Sequence, residues 1–149
     1  MRYIDLHVHS NCSDGTFSPE ELVVLGIKQE LVAFALTDHD TISGVERAIK
    51  KAEEFDNKIQ VIPGMELSCK YTISSSQSVE IHMLGYRYDI HNKKLIATLE
   101  DISNERDERN RKMCSNLQNA GFPISYDMLC ERFGDTILTR AHFARLLLE

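Results

Sequence analysis

Six consecutive apolar residues, Leu31-Val32-Ala33-Phe34-Ala35-Leu36, constrain the fold more than any other stretch. A strand with one face in water alternates apolar and polar side chains. This run does not alternate, so it reads as a strand buried on both faces, as in a parallel sheet covered by helices. Helix signals stand on either side. Ser18-Pro19-Glu20-Glu21 predicts a start in which Ser18 caps, Pro19 takes the first helical position and Glu21 completes a capping box; the helix runs to about Gln29. Ser43-Gly44-Val45-Glu46 predicts a second capping box, opening a helix to about Phe55. Tyr3 to Leu6 predicts a short buried strand, Lys58 to Pro63 a third strand, and Val79 to Tyr86 a fourth. Ser74 to Ser78 predicts a surface loop. The order through residue 86 is β-α-β-α-β-β. That is the α/β class, with parallel strands joined by right-handed crossovers and functional residues gathered at the C-terminal strand ends.

Ligand-type side chains fall where that rule places a site. Residues two apart lie on one face of a strand, so His7 and His9 point the same way. Asp14 returns from the polar turn that follows. Thr37-Asp38-His39-Asp40 ends the second strand, Glu66 follows the third, and His82 lies within the fourth on the side shared with Glu80 and Leu84. Histidines serving only as core filler have no reason to keep this phase. Imidazoles with carboxylates suit zinc, manganese or iron. Asp5, Asp38 and Asp40 read either as partners that orient the histidines or as turn and surface residues.

From Asn92 onward the pattern is helical. Leu95, Leu99, Ile102, Met113 and Leu117 recur at helical spacing to about Asn119, and Arg106 to Lys112 reads as a solvated face, with contact to a substrate as the other reading. Ser125 to Phe133 predicts a short helix stopped by Gly134, and Thr139 caps a last one, Arg140 to Glu149. The formal charge of -6 argues against a general nucleic-acid-coating surface. Residues 1–86 hold 13 acidic against 7 basic side chains, which suits cation binding. Cys12, Cys69, Cys114 and Cys130 form no C-x-x-C pair and read as reduced thiols. No apolar run approaches a membrane span, and no signal peptide is indicated, so a cytoplasmic protein is expected. No nucleophile elbow points to a serine hydrolase.

Asp5-Leu6-His7-Val8-His9-Ser10, Ser13-Asp14-Gly15, Thr37-Asp38-His39-Asp40, Pro63-Gly64-Met65-Glu66 and the His82 strand resemble, in order and in rough spacing, the PHP (polymerase and histidinol phosphatase) family. The resemblance covers residues 1 to about 90. It implies the N-terminal portion of a distorted (β/α)7 PHP barrel with a trinuclear metal site that hydrolyses phosphoesters. His7, His9 and Glu66 would bind a first metal, Glu66 and His82 would share a second, and Asp14 and His39 would hold a third. The helical segment ending in Thr139-Arg140-Ala141-His142 looks like the branch of nucleotide phosphoesterases and 5'-to-3' exoribonucleases. That implies an insertion over the metal cleft, with Arg140 and His142 as candidates for holding a substrate phosphate; the other reading is a capped helix start.

The family pattern also has a later histidine and an Asp-x-His pair. Only His91 and His142 follow His82, and neither stands in that context, after a further strand or near the end of a barrel. The chain is therefore expected to be the N-terminal part of a longer protein. Residues 1–90 would be the barrel portion and 91–149 a helical insertion, with an open sheet edge that self-association could cover. The expected activity is a metal-dependent phosphoesterase using two or three divalent ions (Mn, Zn or Fe). Its metal-activated hydroxide would attack a phosphorylated small molecule, a nucleotide or an RNA 5' end. A histidinol-phosphate-type phosphomonoesterase and a non-catalytic metal-binding module are the alternatives.

Overall fold

The six-residue apolar run is a strand in the computed structural model, which describes residues 3–148. Two units divide the chain, residues 1–91 and 92–149. The first has an α/β fold whose strands form a curled, half-barrel sheet. The strands are β1 (Tyr3–Val8), β2 (Leu31–Leu36), β3 (Gln60–Ser74) and β4 (Gln77–Tyr86), with α1 (Pro19–Lys28) and α2 (Val45–Glu53) in the connections. The sheet order is β1-β2-β3-β4; the first two pairings are parallel and the last antiparallel.

The core of this unit packs Leu22 and Val23 of α1 and Val45, Ala48 and Ala52 of α2 against Phe34, Leu36, Ile59 and Val61. Both faces of β2 are closed, since Ala33 and Ala35 are buried as well as Phe34 and Leu36. The absence of polar alternation has that cause. At the start of α1 the Ser18 hydroxyl accepts from the Glu21 N–H at 3.2 Å, and the Glu21 carboxylate accepts from the Ser18 N–H at 2.8 Å.

Several expectations are corrected. β1 is not buried: Tyr3, Ile4 and Leu6 are 42–57 % exposed. Among the described residues β1 pairs with β2 alone and forms a sheet edge. The second capping box does not form. Gly44, not Ser43, is the N-cap of α2, so Glu46 stands one position too early to reach back, and it pairs instead with Lys50 at 2.8 Å. The third strand does not stop at Pro63. β3 pairs with β2 as far as Pro63 and then, from Gly64 onward, with β4. Glu66 therefore lies inside a strand, and the expected Ser74–Ser78 loop shrinks to a turn at Ser75 and Ser76. Gly64 permits the change of neighbour: a Cβ there would lie 2.8 Å from Thr37 Cγ2 and 2.9 Å from the Leu36 carbonyl oxygen.

The second unit consists of α3 (Lys93–Asn119), α4 (Tyr126–Phe133) and α5 (Arg140–Leu148). The Asn92 side chain caps α3 by accepting from Lys94 and Leu95, and the Ser125 hydroxyl caps α4 by accepting from Met128. Cys114, Ile124, Leu129, Leu138 and Phe143 form the core. The stretch from Arg106 to Lys112 is not a uniformly solvated face. Arg106 and Asn110 are buried and both donate to the Leu138 carbonyl, while Arg111 lies over the Tyr126 ring at 3.9 Å. No helix among the described residues is long and apolar enough to cross a membrane.

Candidate metal centre

Glu66 is the hub. Its buried carboxylate lies 2.8 Å from His7 Nε2, 3.0 Å from His9 Nε2, 3.7 Å from His39 Nδ1 and 2.7 Å from His82 Nδ1. Asp14 completes the cluster, 3.3 Å from His9 Nδ1 and 3.5 Å from His39 Nε2. Three sets have ligand atoms all within 4.8 Å of one another: His7, His9 and Glu66; His39, Glu66 and His82; His9, Asp14 and His39. All six sequence-nominated ligands of the first unit are therefore brought together. His9 and His39 each stand in two sets, which the sequence did not distinguish.

Each ligand is placed by local structure. Strand alternation puts His7 and His9 on one face of the β1 end. Asp14 is delivered by a turn folded round Asp38. That buried carboxylate accepts from the Ser10 N–H at 2.7 Å, the Ser10 hydroxyl at 2.6 Å and the Ser13 hydroxyl at 2.6 Å. Gly15 closes the turn, since a Cβ there would stand 2.2 Å from the His9 carbonyl oxygen.

A second clamp joins the end of β2 to β3. The Glu66 N–H donates to the Asp38 carbonyl, the Asp40 N–H donates to the Glu66 carbonyl, and the Asp40 carboxylate accepts from the Ser68 N–H at 2.7 Å. Asp40 sits at φ 50°, a left-handed conformation that Asp tolerates better than most residues. Asp38 and Asp40 are not surface residues: both are buried, and their carboxylates accept from backbone amides and serine hydroxyls. Asp5 is exposed and its carboxylate accepts from the His7 N–H at 3.1 Å. The serines were missed as turn holders. Their signal was two hydroxyls three residues apart in a turn facing a candidate acid.

The electrostatics of the metal-free cluster follow from this packing. The imidazoles of His39 and then His9 hold the Asp14 carboxyl well below the usual carboxylate range, outweighing burial. Burial pushes Glu66 up, but His7 and His82, with the charges of His39 and His9, more than offset it and leave it lowered. Burial pulls His9 down, and Asp14, Glu66 and Asp38 together leave it raised. His39 Nδ1 is buried without a hydrogen-bond partner. A buried nitrogen lone pair without a donor is costly unless something coordinates it. Together with the mixed imidazole and carboxylate set, this orphan atom fits divalent metal ions.

Replacing Asp38 by alanine strands the Ser10 amide and two serine hydroxyls in a buried turn. A loss of about 2–4 kcal/mol of stability is expected, read as a lower urea midpoint. An unchanged midpoint would remove Asp38 from this role.

The two candidate phosphate residues lie in the second unit. Arg140 is exposed at the start of α5. His142 is buried, and its Nδ1 accepts from the Thr139 N–H at 2.9 Å.

Residues 5–139 match the PHP domain, and the chain belongs to that family. More particularly, it is 37 % identical over 145 residues to a 5'-3' exoribonuclease of Haemophilus influenzae, covering 97 % of this chain and 50 % of that protein. It is 32 % identical over 151 residues to a 3',5'-nucleoside bisphosphate phosphatase of Chromobacterium violaceum, covering 100 % of this chain and 50 % of that one. Among solved structures, a proposed metal-dependent phosphoesterase of Bifidobacterium adolescentis superposes with a TM-score of 0.83 at 29 % identity, over 97 % of this chain and 49 % of that one. The chain thus spans about half the length of the relatives it matches.

Proposed function

We propose that this chain carries the metal-binding part of a phosphoesterase acting on phosphate esters of nucleotides or RNA 5' ends. The observation behind this reading is the convergence of four imidazoles on the single carboxylate of Glu66. His7, His9 and Glu66 would hold one ion, Glu66 and His82 a second, and Asp14 and His39 a third, each drawn from one of the three clustered sets. Manganese, zinc or iron suits this donor set. The names of the relatives favour an enzyme over a non-catalytic metal-binding module. When bound, such ions neutralise phosphoryl oxygens and acidify water.

The chain's own residues supply position. Glu66, common to two sets, fixes their spacing. The turn held by Asp38 aims His9 and Asp14, and the backbone clamp through Asp40 keeps His39 beside Glu66. Arg140 offers a planar cation for a substrate phosphate, a bidentate pairing that lysine cannot make. Both relatives carry names concerned with RNA or nucleoside phosphates. This supports nucleotide substrates over histidinol phosphate or another small phosphomonoester. The domain reading is residues 1–90 as the first part of a (β/α)7 barrel and 91–149 as a helical insertion. The half-length match to the relatives supports it, and the exposed β1 edge makes self-association a further possibility to measure. A cytoplasmic location accords with free cysteines at 12, 69, 114 and 130.

The test is metal analysis of the purified, dialysed chain. Hydrolysis is then assayed on adenosine 3',5'-bisphosphate, a 5'-phosphorylated RNA oligonucleotide and histidinol phosphate, with and without chelator. Two or more ions per chain and chelator-sensitive hydrolysis of the first two substrates are expected. Metal retention with no hydrolysis would favour a metal-binding module. Failure of both would overturn the reading.

A further inference from the structure

The sequence pairs Arg140 and His142 as alike, yet their surroundings differ. His142 is 2 % exposed, with its ring edge-to-face on Phe133 at a centroid distance of 4.6 Å. Its Nδ1 accepts the Thr139 N–H at 2.9 Å and lies 3.2 Å from the Thr139 hydroxyl, which in turn accepts from the Ala141 N–H at 3.2 Å. An amide N–H is always a donor, so Nδ1 must present its lone pair. An imidazolium, with donors at both nitrogens, would set two N–H groups against each other. This geometry suits a neutral ring and disfavours the cationic one that would grip a phosphate.

The arrangement is one half of a capping box, with histidine in place of the usual Glu or Gln, while the Thr139 hydroxyl takes the Ala141 N–H. Thr139 is the N-cap, and the side chain three residues on reaches back to its N–H. The other side of the same turn is gripped as well. The Leu138 carbonyl accepts from Arg106 Nη1 at 3.3 Å and from Asn110 Nδ2 at 3.2 Å, two side chains four apart on one face of α3. Asn110 is 0 % exposed and its Oδ1 has no hydrogen-bond partner. A buried, half-satisfied amide costs stability and calls for an explanation. Holding the Leu138 carbonyl supplies one.

We propose that His142 is a positioning residue: with Asn110 and Arg106 it locks the Leu138–Thr139 turn so that Arg140, the next residue, is presented to a substrate phosphate. The inference rests on the proposed phosphate role of Arg140 and assigns that contact to Arg140 alone. Glutamine at 142 can accept from the Thr139 N–H, whereas leucine fills the space without an acceptor.

The test compares His142→Gln, His142→Leu, Arg140→Gln and the double variant His142→Leu/Arg140→Gln in the full metal-loaded chain. Readouts are the equilibrium affinity for adenosine 5'-monophosphate, amide hydrogen exchange at Thr139, and metal content. His142→Leu is expected to speed Thr139 exchange and weaken the nucleotide by about tenfold, the scale on which misplacing a binding group acts. His142→Gln keeps the amide protected and stays within about threefold of the unaltered chain, an estimate resting on the shared capping geometry. The double variant binds no more weakly than Arg140→Gln, because both changes remove one function. Metal content stays constant throughout.

Loss of binding in His142→Gln equal to that in His142→Leu, with Thr139 still protected, would overturn the inference in favour of direct contact by the imidazole. Wild-type exchange and affinity in His142→Leu would overturn it too. An unaltered chain that binds no nucleotide overturns the phosphate role of Arg140. In that case the exchange contrast alone decides on the brace: Thr139 protected in Gln but not in Leu supports it, and equal protection in both sinks it.

Discussion

Glu66→Gln is expected to empty two of the three ligand sets at once. Glutamine keeps the volume and one carbonyl oxygen but loses the charge, and its amide nitrogen turns a donor toward a cluster built for cations. Metal retained after dialysis should fall to at most one ion per chain. Any hydrolysis should fall on the order of 10³-fold or more, because charge neutralisation by the ions supplies several kcal/mol. The membership of the sets gives a ranking. His9 and His39 also stand in two sets, but a neutral imidazole has one lone pair and serves one ion at a time, so only the Glu66 carboxylate can serve two. Substitutions at His7, His9, Asp14, His39 and His82 should therefore each cost less metal than Glu66→Gln. Elemental analysis across the six variants, with circular dichroism as the folding control, reads this directly. Equal losses at all six positions, or full metal content in Glu66→Gln, would contradict the shared-carboxylate arrangement.

The second large effect is a displacement of the pH optimum of stability by metal. In the metal-free chain His9 is raised above its ordinary 6.5, so the folded state holds that proton more tightly than the unfolded one. Its contribution is complete below 6.5 and fades as pH rises through the raised value. Asp14 is lowered from 3.8, so its contribution is complete above that value and is lost only as pH falls toward the depressed one. The metal-free cluster is therefore most favourable between about pH 4 and pH 6.5.

Divalent ions need the imidazoles unprotonated, and each proton that must leave changes affinity by about tenfold per pH unit. Affinity is expected to drop at least ~100-fold between about pH 7.5 and about pH 5.5, and the stability optimum of the metal-loaded chain moves above neutrality. Urea midpoints measured across this range with chelator and with manganese would show two separated optima. Superimposable profiles would argue that the imidazoles are not ligands.

How far this was legible beforehand differs residue by residue. His7 and His9 are two apart on a strand, and alternation alone places both imidazoles on one face. Asp14 is nominated from the polar turn after the first strand, and His39 and Glu66 because a ligand-type side chain follows an apolar run. For Glu66 the expected setting, just past the end of a strand, is not the observed one. It lies inside β3, which continues past Pro63 because β4 replaces β2 as its neighbour. No local pattern announces a change of partner; the sign is Gly64, whose meaning depends on how closely Leu36 and Thr37 approach. Arg106 and Asn110 show the converse failure. Their segment is polar, so it reads as solvated, yet two of its side chains are buried to hold one carbonyl 28 or more residues away.

By itself the sequence determined what depends on neighbours along the chain. Apolar runs and caps gave the α/β order, alternation gave the shared face of His7 and His9, and the succession of ligand motifs pointed to the family. Tertiary structure alone decided which side chains meet. Glu66 is the hub, His9 and His39 each lie close to two of the ligand sets, Asp38 holds a turn, and His142 is buried rather than offered to solvent. Such facts depend on how strands from distant segments pair and on which polar groups must be satisfied once water is excluded. Those constraints act across space and leave no fixed spacing in the chain.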